Sequence, residues 1–426
     1  MNSDGDTIAA IATAPGRAGV AVVRMSGRDA FAVAGRVCGN VPEAGRFAFR
    51  RLRDPSRCGT VIDEAVVLAF RAPRSYTGED VVEFQCHGGA VAPRRVLEAC
   101  MSAGARLARR GEFTERALLN GRIDCDQAES VLDLVDAKTD RAADAAIEGL
   151  SGRRSRAGRE LYDAAVEISA TLEHALDIDE SSLPDSFWEG VKRSASELLA
   201  RIDAEIRAAK ERRILRDGAL VVLAGPPNAG KSSLMNALLG ESRVLVSETP
   251  GTTRDSVEAW LDIDGWPVRL VDTAGLRESS DKIEAAGVER AEMLIADADV
   301  VLDLSRQGAA TRGVVVAVHA KCDLERGDDG VNVSAKTGEG MENLRQAVVA
   351  ALEAKTAGSG EWKADGTQVL SALSAAKRAL SSADWSDPVL AANAVRAAAE
   401  RLGELAGAVY SEDLIENLFS RFCVGK

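Results

Sequence analysis

Residues 225 to 232 read Gly-Pro-Pro-Asn-Ala-Gly-Lys-Ser, a complete G-x-x-x-x-G-K-S pattern between the apolar run Leu220-Val221-Val222-Leu223 and the helix-forming run Leu234-Met235-Asn236-Ala237-Leu238-Leu239. Few patterns constrain a fold so tightly. A strand must deliver the chain into the loop, and a helix must leave it with its N-terminus aimed at a bound anion. A polyphosphate needs many N–H donors at close range, so Gly225 and Gly230 keep the backbone clear of side chains. Lys231 supplies a point charge toward the β and γ phosphates, and the Ser232 hydroxyl is placed to ligate Mg²⁺.

The segments that follow come in the order a nucleotide switch uses. Asp272-Thr273-Ala274-Gly275 closes the strand expected at Val268-Arg269-Leu270-Val271, putting a carboxylate near the metal and a glycine N–H near the γ-phosphate. Upstream, Gly251-Thr252-Thr253-Arg254-Asp255 offers hydroxyls on a loop that a γ-phosphate would order, with Thr253 the natural second Mg²⁺ ligand. Downstream, Lys321-Cys322-Asp323 follows a strand expected at 314–318. A carboxylate there accepts from both the N1 hydrogen and the exocyclic amine of guanine, a donor pair that adenine lacks. Ser334-Ala335-Lys336 supplies the last base-side loop. Each segment is weak alone, but five in this order specify an α/β nucleotide-binding domain.

The set resembles the translation-factor class of GTPases, with a departure at the base. The usual Asn-Lys-x-Asp has Ala320 in its first position, which removes an amide that would contact the guanine and brace the phosphate loop. The loss is about 0.5–1.5 kcal/mol per hydrogen bond, and Asp323 remains to prefer guanine. Many GTPases also place a water-activating Gln directly after the Asp-x-x-Gly segment, where this chain has Leu276. Asn228 suggests another device, an amide oxygen that helps hold a monovalent cation between the β and γ phosphates and neutralises charge as an arginine finger would. Asn228 also reads simply as a turn former.

Around this core, 46% hydrophobic residues in 426 can fill about three domains, although aromatics make up only 4%. Apolar β-branched runs at 20–23, 66–70 and 81–84, mixed with a helical segment at 94–101, read as an α+β domain over residues 1–122. Ala-rich stretches at 139–176 and 368–409 carry helical spacing. They suggest one helical domain in two parts, 123–216 and 354–426, split by the nucleotide domain at 217–353, with 354–360 as a flexible exit linker. Arg24 and Glu83 by themselves read as strand-edge charges. The chain ends Phe419-Ser420-Arg421-Phe422-Cys423-Val424-Gly425-Lys426, which puts a thiol on a short flexible tail where a nucleophile, a redox partner and a packing cysteine all fit.

Seven scattered cysteines show no paired metal spacing, and the odd count without a signal peptide suggests a reducing cytoplasm. No run of about twenty apolar residues marks a membrane span. A net charge of −13 weighs against the chain gripping RNA alone, although the clusters Arg106-Arg109-Arg110 and Arg153-Arg154-Arg156-Arg159 offer local cations.

Both ends together resemble the MnmE (TrmE) family of tRNA modification GTPases. The ending Phe-Cys-Val-Gly-Lys is similar to the family's Phe-Cys-Ile-Gly-Lys. The amino-terminal match runs through Asp6-Thr7-Ile8, 14–20, Ser75-Tyr76-Thr77-Gly78-Glu79-Asp80, His87-Gly88-Gly89 and 111–117. The resemblance implies a cytoplasmic homodimer that assembles with the FAD-binding partner MnmG (GidA), the expected holder of FAD and NADH. That complex modifies C5 of the wobble uridine of certain tRNAs with a methylene from 5,10-methylene- or 5-formyl-tetrahydrofolate and an amine from glycine or ammonium.

It further implies a folate pocket at Arg24, Glu83, Arg122 and Lys426, with Arg122 standing where Lys is common. K⁺ would be held by Asn228, Ser247, Thr249 and Thr252, several of them through carbonyls. GTP would be held by 228–233, by Ser247, Glu248, Thr249, Pro250, Gly251, Thr252 and Thr253, by Asp272, Thr273, Ala274 and Gly275, and by the base-side residues Lys321, Asp323, Ser334, Ala335 and Lys336. Within the phosphate loop that set includes Ala229 and Ser233. Glu284 aligns with the family's catalytic glutamate, which orients the attacking water, and Cys423 belongs to the shared active site; alone, Glu284 reads as a solvated helix charge. A ribosome-assembly GTPase would be expected to carry a basic RNA-binding appendage instead. A folate-dependent methyl-transfer enzyme with a regulatory nucleotide domain would turn over without a partner.

Overall fold

Alternating apolar residues at 21, 23 and 25 and at 82, 84 and 86 build the first sheet, because a period of two sends one face of each strand inward. A computed structural model describes residues 5–176, 184–241, 243–245, 258–273, 284–305, 311, 313–358, 368–405, 418–419 and 421–425; side chains 241, 243–244 and 284–290 are not described. The chain forms two units, 1–132 with 409–426 and 133–408, each with its own cores.

In the first unit the elements are β1 (Ile8–Ile11), β2 (Val20–Ser26), α1 (Ala30–Cys38), β3 (Phe47–Asp54), β4 (Thr60–Phe70), β5 (Val81–His87), α2 (Ala92–Ser102), β6 (Arg106–Leu107), α3 (Glu112–Leu119) and the start of α4 (Cys125–Asp136). The strands order as β3-β4-β5-β2-β1-β6, antiparallel except for the β1–β6 pair. Helices α1 and α2 cover one face through Val33, Val37, Val96 and Cys100. The opposite face carries the register line Phe47, Leu68, Glu83, Arg24. Arg24 and Glu83 therefore sit on β2 and β5, inside the sheet, and not at its edge. On the edge strand β3, Phe47 is 75% and Phe49 62% exposed.

An ion network ties α3 to the sheet. Arg116, 5% exposed, reaches Asp6 at 2.7 Å, Glu79 at 3.0 Å and Glu112 at 3.1 Å, while Arg106 bonds Glu112 and Asp6 at 2.5 Å each. Burial pushes the Glu112 carboxyl up, but Arg106, the Arg109 N–H and Arg116 outweigh it and hold it at about 2.

The carboxyl-terminal segment is anchored to this unit, which corrects the expectation of a flexible tail. Phe419 and Phe422 are buried against Ala128 and Leu132, the Gly111 N–H donates to the Cys423 carbonyl at 3.3 Å, and Val424 bridges Arg110. Cys423 is exposed on a fixed backbone.

The second unit begins with three helices, α5 (Asp140–Leu150), α6 (Arg153–Leu176) and α7 (Asp185–Asp217). Helix α7 runs through Gly218 directly into β7 (Ala219–Ala224). There follow α8 (Lys231–Glu241), β8 (Arg243–Val244), β9 (Glu258–Ile263), β10 (Trp266–Asp272), α9 (Glu284–Asp297), β11 (Val300–Asp303), β12 (Val314–Ala320), β13 (Val331–Val333), α10 (Met341–Ala357), α11 (Gln368–Ser381) and α12 (Pro388–Gly403). The second sheet orders as β13-β12-β11-β7-β10-β9-β8, parallel from β13 to β10. Every residue of β7 and β11 is buried, as expected of central parallel strands.

Helices α6, α7, α11 and α12 share one core through Leu161, Leu198, Leu373 and Val395. Helix α10 continues to Ala357, and Lys210 of α7 donates to the Gly358 carbonyl at 2.5 Å. The first part of the segment read as a linker is therefore helix with its end held. Among the described residues no helix is long and apolar enough to cross a membrane.

Two stability outcomes follow from the first unit. The Glu112 carboxyl, normally near 4.5, is held at about 2 in the fold, so its contribution is complete above pH 4.5 and fades as pH falls toward 2. Urea titrations between pH 5 and 2.5 should show that decline, and Glu112→Gln should make it shallower while lowering stability at pH 7. Phe422→Ala should cost about 3 kcal/mol of the first unit's stability, read by chemical denaturation.

Candidate functional site

The phosphate loop takes the shape its glycines permit. Gly225 and Gly230 have φ of 150° and 100°, and Asn228 between them has φ of 60°. Asn is one of the few side chains that tolerate that region, so turn formation accounts for the residue's conformation. Lys231, buried at the head of α8, donates to the carbonyls of Gly225 and Pro226 at 2.9 and 2.8 Å and so stands over the loop. Ala229 lies in the loop, and Ser233 is exposed on the first turn of α8.

The β7–β10 pairing brings the second segment to the first. Asp272 lies opposite Leu223, and its carboxylate accepts from the Ser232 hydroxyl at 2.6 Å. A hydroxyl and a carboxylate oxygen meeting at one point suit a hard divalent cation, so these residues fit Mg²⁺. Beside them Thr273 donates to the Leu223 carbonyl at 2.8 Å and locks the strand end to the loop's origin. The motif pattern gave that hydroxyl no such structural task.

On the base side, Asp323 accepts from Ser334 at 2.7 Å, which fixes the carboxylate that would read guanine. Lys321, itself at φ 64°, extends to donate to the Asn228 carbonyl at 2.9 Å. Ala320 faces the loop, since a β-carbon on Gly230 would lie 3.5 Å from the Ala320 methyl. Ala335 and Lys336 continue the Ser334 turn.

The remaining expectations for this site fall elsewhere. Ser247, Glu248, Thr249, Pro250, Gly251, Thr252, Thr253, Ala274 and Gly275 lie outside the described residues. Glu284 is the first residue of α9, and its side chain is not described.

In the first unit, three of the four folate candidates border one loop. The Arg24 guanidinium bonds Glu83 at 2.6 Å and lies 5.7 Å from the ring centres of both Tyr76 and Phe113. Arg122 donates to the Ser75 carbonyl at 3.2 Å. Tyr76 is held in turn by Thr114 at 2.8 Å, and Asn120 bonds the Thr77 carbonyl at 2.7 Å. Tyr76, Phe113 and Thr114 were visible only as motif letters, because the contact that gives them a role joins residues far apart in the chain. Lys426 lies outside the described residues, while Gly425 beside it packs on Ile11 and Ala12.

The arginine clusters are partly committed within the fold. Arg106 and Arg109 pair with acidic residues, Arg153 pairs with Glu148, and Arg154 lies 3.7 Å from Asp133. Among the described residues no group of three or more His, Cys, Asp or Glu forms a metal centre.

Comparison with known proteins finds relatives over the whole chain. The family of the GTP-binding protein TrmE N-terminus matches residues 7–122, and the MnmE helical domain family matches residues 126–423. The tRNA modification GTPase MnmE of Symbiobacterium thermophilum is 41% identical over 459 residues, and that of Thermus thermophilus 42% over 435, each covering 99% of both chains. Among solved structures, the G domain of the T. maritima FeoB iron transporter covers 31% of this chain and 98% of its own at 27% identity, with a TM-score of 0.23. With full-length relatives at this identity and both family regions matched, the chain belongs to the MnmE (TrmE) family of tRNA modification GTPases.

Proposed function

We propose that this GTPase is the hydrolytic subunit of a cytoplasmic complex that adds an aminomethyl-type group, such as carboxymethylaminomethyl, at C5 of the wobble uridine of certain tRNAs. The observation that carries the nucleotide half is the Ser232–Asp272 pair beneath a loop already shaped for phosphate. Ser232, with Thr253, would hold Mg²⁺, which neutralises phosphate charge when bound. Lys231 draws on the β and γ phosphates, and Asp323 accepts from the guanine edge. Glu284 orients the attacking water. Asn228, with Ser247, Thr249 and Thr252, would hold K⁺, whose charge stands in for an arginine finger.

The folate half rests on the Arg24–Glu83 pair and on Arg122, gathered around 75–78. A carboxylate beside a guanidinium on an aromatic wall offers an acceptor, donors and stacking to a flat pterin, so these residues fit a tetrahydrofolate, which supplies the one-carbon unit. Lys426 would supply a further cation to the folate, and Cys423 stands exposed a few residues away in the chain.

We assign residues 1–122 to folate binding and dimerisation, 217–353 to GTP, and 123–216 with 354–426 to the helical base. The exposed Phe47 and Phe49 support a homodimer. The partner MnmG (GidA) would bring FAD and NADH and make most of the tRNA contacts, consistent with a net charge of −13 and with paired arginines.

Phosphate release from GTP and from ATP, measured in potassium and in sodium at equal ionic strength, tests the nucleotide half. GTP hydrolysis should be selectively stimulated by potassium, and Asn228→Ala should remove most of the stimulation; equal rates in both salts would end the cation role. For the folate half, Arg24→Ala and Glu83→Gln should each weaken binding of 5-formyl-tetrahydrofolate by about tenfold in calorimetry. Unchanged affinity would move the pocket elsewhere.

A further inference from the structure

The hairpin β9–β10 has a nucleotide-linked end and a far end, and the far end is gripped by the helical part of the chain. Its turn is Asp264-Gly265, both at positive φ (50° and 85°), the tight two-residue form that keeps the strands in fixed register. Trp266 pairs with Ile263 and Trp260 pairs with Arg269, so the two indoles stand on opposite faces of the hairpin.

Each indole meets a cation from the start of α5. The Lys138 ammonium lies 4.0 Å from the Trp260 ring centre, and the Arg141 guanidinium 4.1 Å from that of Trp266. The two cations flank Thr139, whose hydroxyl caps α5 by accepting from the Ala142 N–H, so their spacing is set by a helix end. They straddle the hairpin like a pincer.

Three contacts stiffen the grip. Arg141 is bonded to Glu211 of α7 at 2.5 Å. A β-carbon on Gly265 would lie 3.1 Å from Arg141, and the Trp260 ring sits on Gly218, where α7 turns into β7. Trp266 is buried, and its indole N–H has no partner among the described residues, which leaves ring stacking and packing to hold it.

Beyond this grip, β10 is hydrogen-bonded on both sides and runs six residues, about 20 Å, to Asp272. The strand that senses the metal ligand is therefore fixed at its other end by the helical domain. We propose that Lys138 and Arg141, through Trp260 and Trp266, are positioning residues for GTP hydrolysis and the contact by which the nucleotide state reaches the helical domain. They touch no substrate. They fix where β10 ends, and by reciprocity a displacement of Asp272 on nucleotide turnover loads the pincer.

The full-length chain with Lys138→Met and Arg141→Met together tests this, assayed for GTP hydrolysis with Mg²⁺ and K⁺. The expected result is a fall in kcat of about fivefold or more with KM within about twofold, and substantial rescue in a Lys138→Met, Arg141→Lys chain, where an ammonium still stacks on the indole. In parallel, hydrogen exchange across 258–272 should differ between the GDP-bound chain and the chain bound to a non-hydrolysable GTP analogue, and that difference should shrink in the double Met variant. If the Met pair does not fold, Trp260→Phe with Trp266→Phe, which keeps an apolar ring but weakens its attraction for cations, is read in the same two assays. A kcat within twofold of the parent in whichever pair folds, or an unchanged exchange difference, overturns the proposal.

Discussion

The parallel pairing of β7 with β10 is the constraint on which the nucleotide half depends. It places Asp272 opposite Leu223 two residues before the phosphate loop begins, so the carboxylate reaches the Ser232 hydroxyl as that residue enters α8. A one-residue slip would turn Asp272 to the other face and break the contact. The register is held by Val268, Leu270, Val221 and Leu223 in the core below and by Thr273 at the end. Geometry at the Ser232–Asp272 pair is thus a consequence of apolar packing several residues away.

The first unit solves a different problem. Its β1, only four residues long, offers few ladder bonds by which to hold its position. Apolar burial alone does not specify the angle at which α3 meets the sheet, but the directional bonds from Arg116 to Asp6, Glu79 and Glu112 do. Breaking one partner of such a buried set costs about 3–5 kcal/mol, far more than a surface pair contributes, because the remaining charge is left desolvated. The same network consumes Arg106 and Arg109, which a reading by composition would count as cations for RNA.

What the chain makes legible by itself is whatever is encoded locally. The glycine loop, the Asp272 strand end, the base-side segments and the Ala-rich helices each declare themselves within a dozen residues, since turn chemistry and periodicity are local properties. Readings that depend on long-range contacts fared worse. The ending 419–425 is short, terminal and glycine-bearing enough to pass for a mobile tail, yet two phenylalanines seat it in a core built by α4. Residues 354–357, Ala-Lys-Thr-Ala, run into a Gly-Ser-Gly stretch, yet they finish α10 because Thr356 is buried and Lys210 receives the helix end. Arg24 and Glu83 look like edge charges until the order of the strands is known, since only topology puts β2 and β5 side by side in the middle of the sheet.

At Ala320 the magnitudes of the bonds lost and kept bear on base preference where the motif match alone does not. The missing amide had two tasks. Its bracing task survives in another form, because Lys321 in a left-handed conformation reaches the Asn228 carbonyl and ties the base-side loop to the phosphate loop. Its base-edge contact is gone, and one neutral hydrogen bond is worth about 0.5–1.5 kcal/mol, at most about a tenfold change in affinity. Against this stands Asp323, held in place by Ser334, which in the proposed role would offer charge-assisted bonds of about 1.5–3 kcal/mol each to two guanine donors. An adenine there would leave the carboxylate desolvated and without those donors, a penalty in the same direction. On the proposed reading, selection of guanine would rest on the carboxylate, and the alanine would weaken binding of every guanine nucleotide alike without changing which base is preferred.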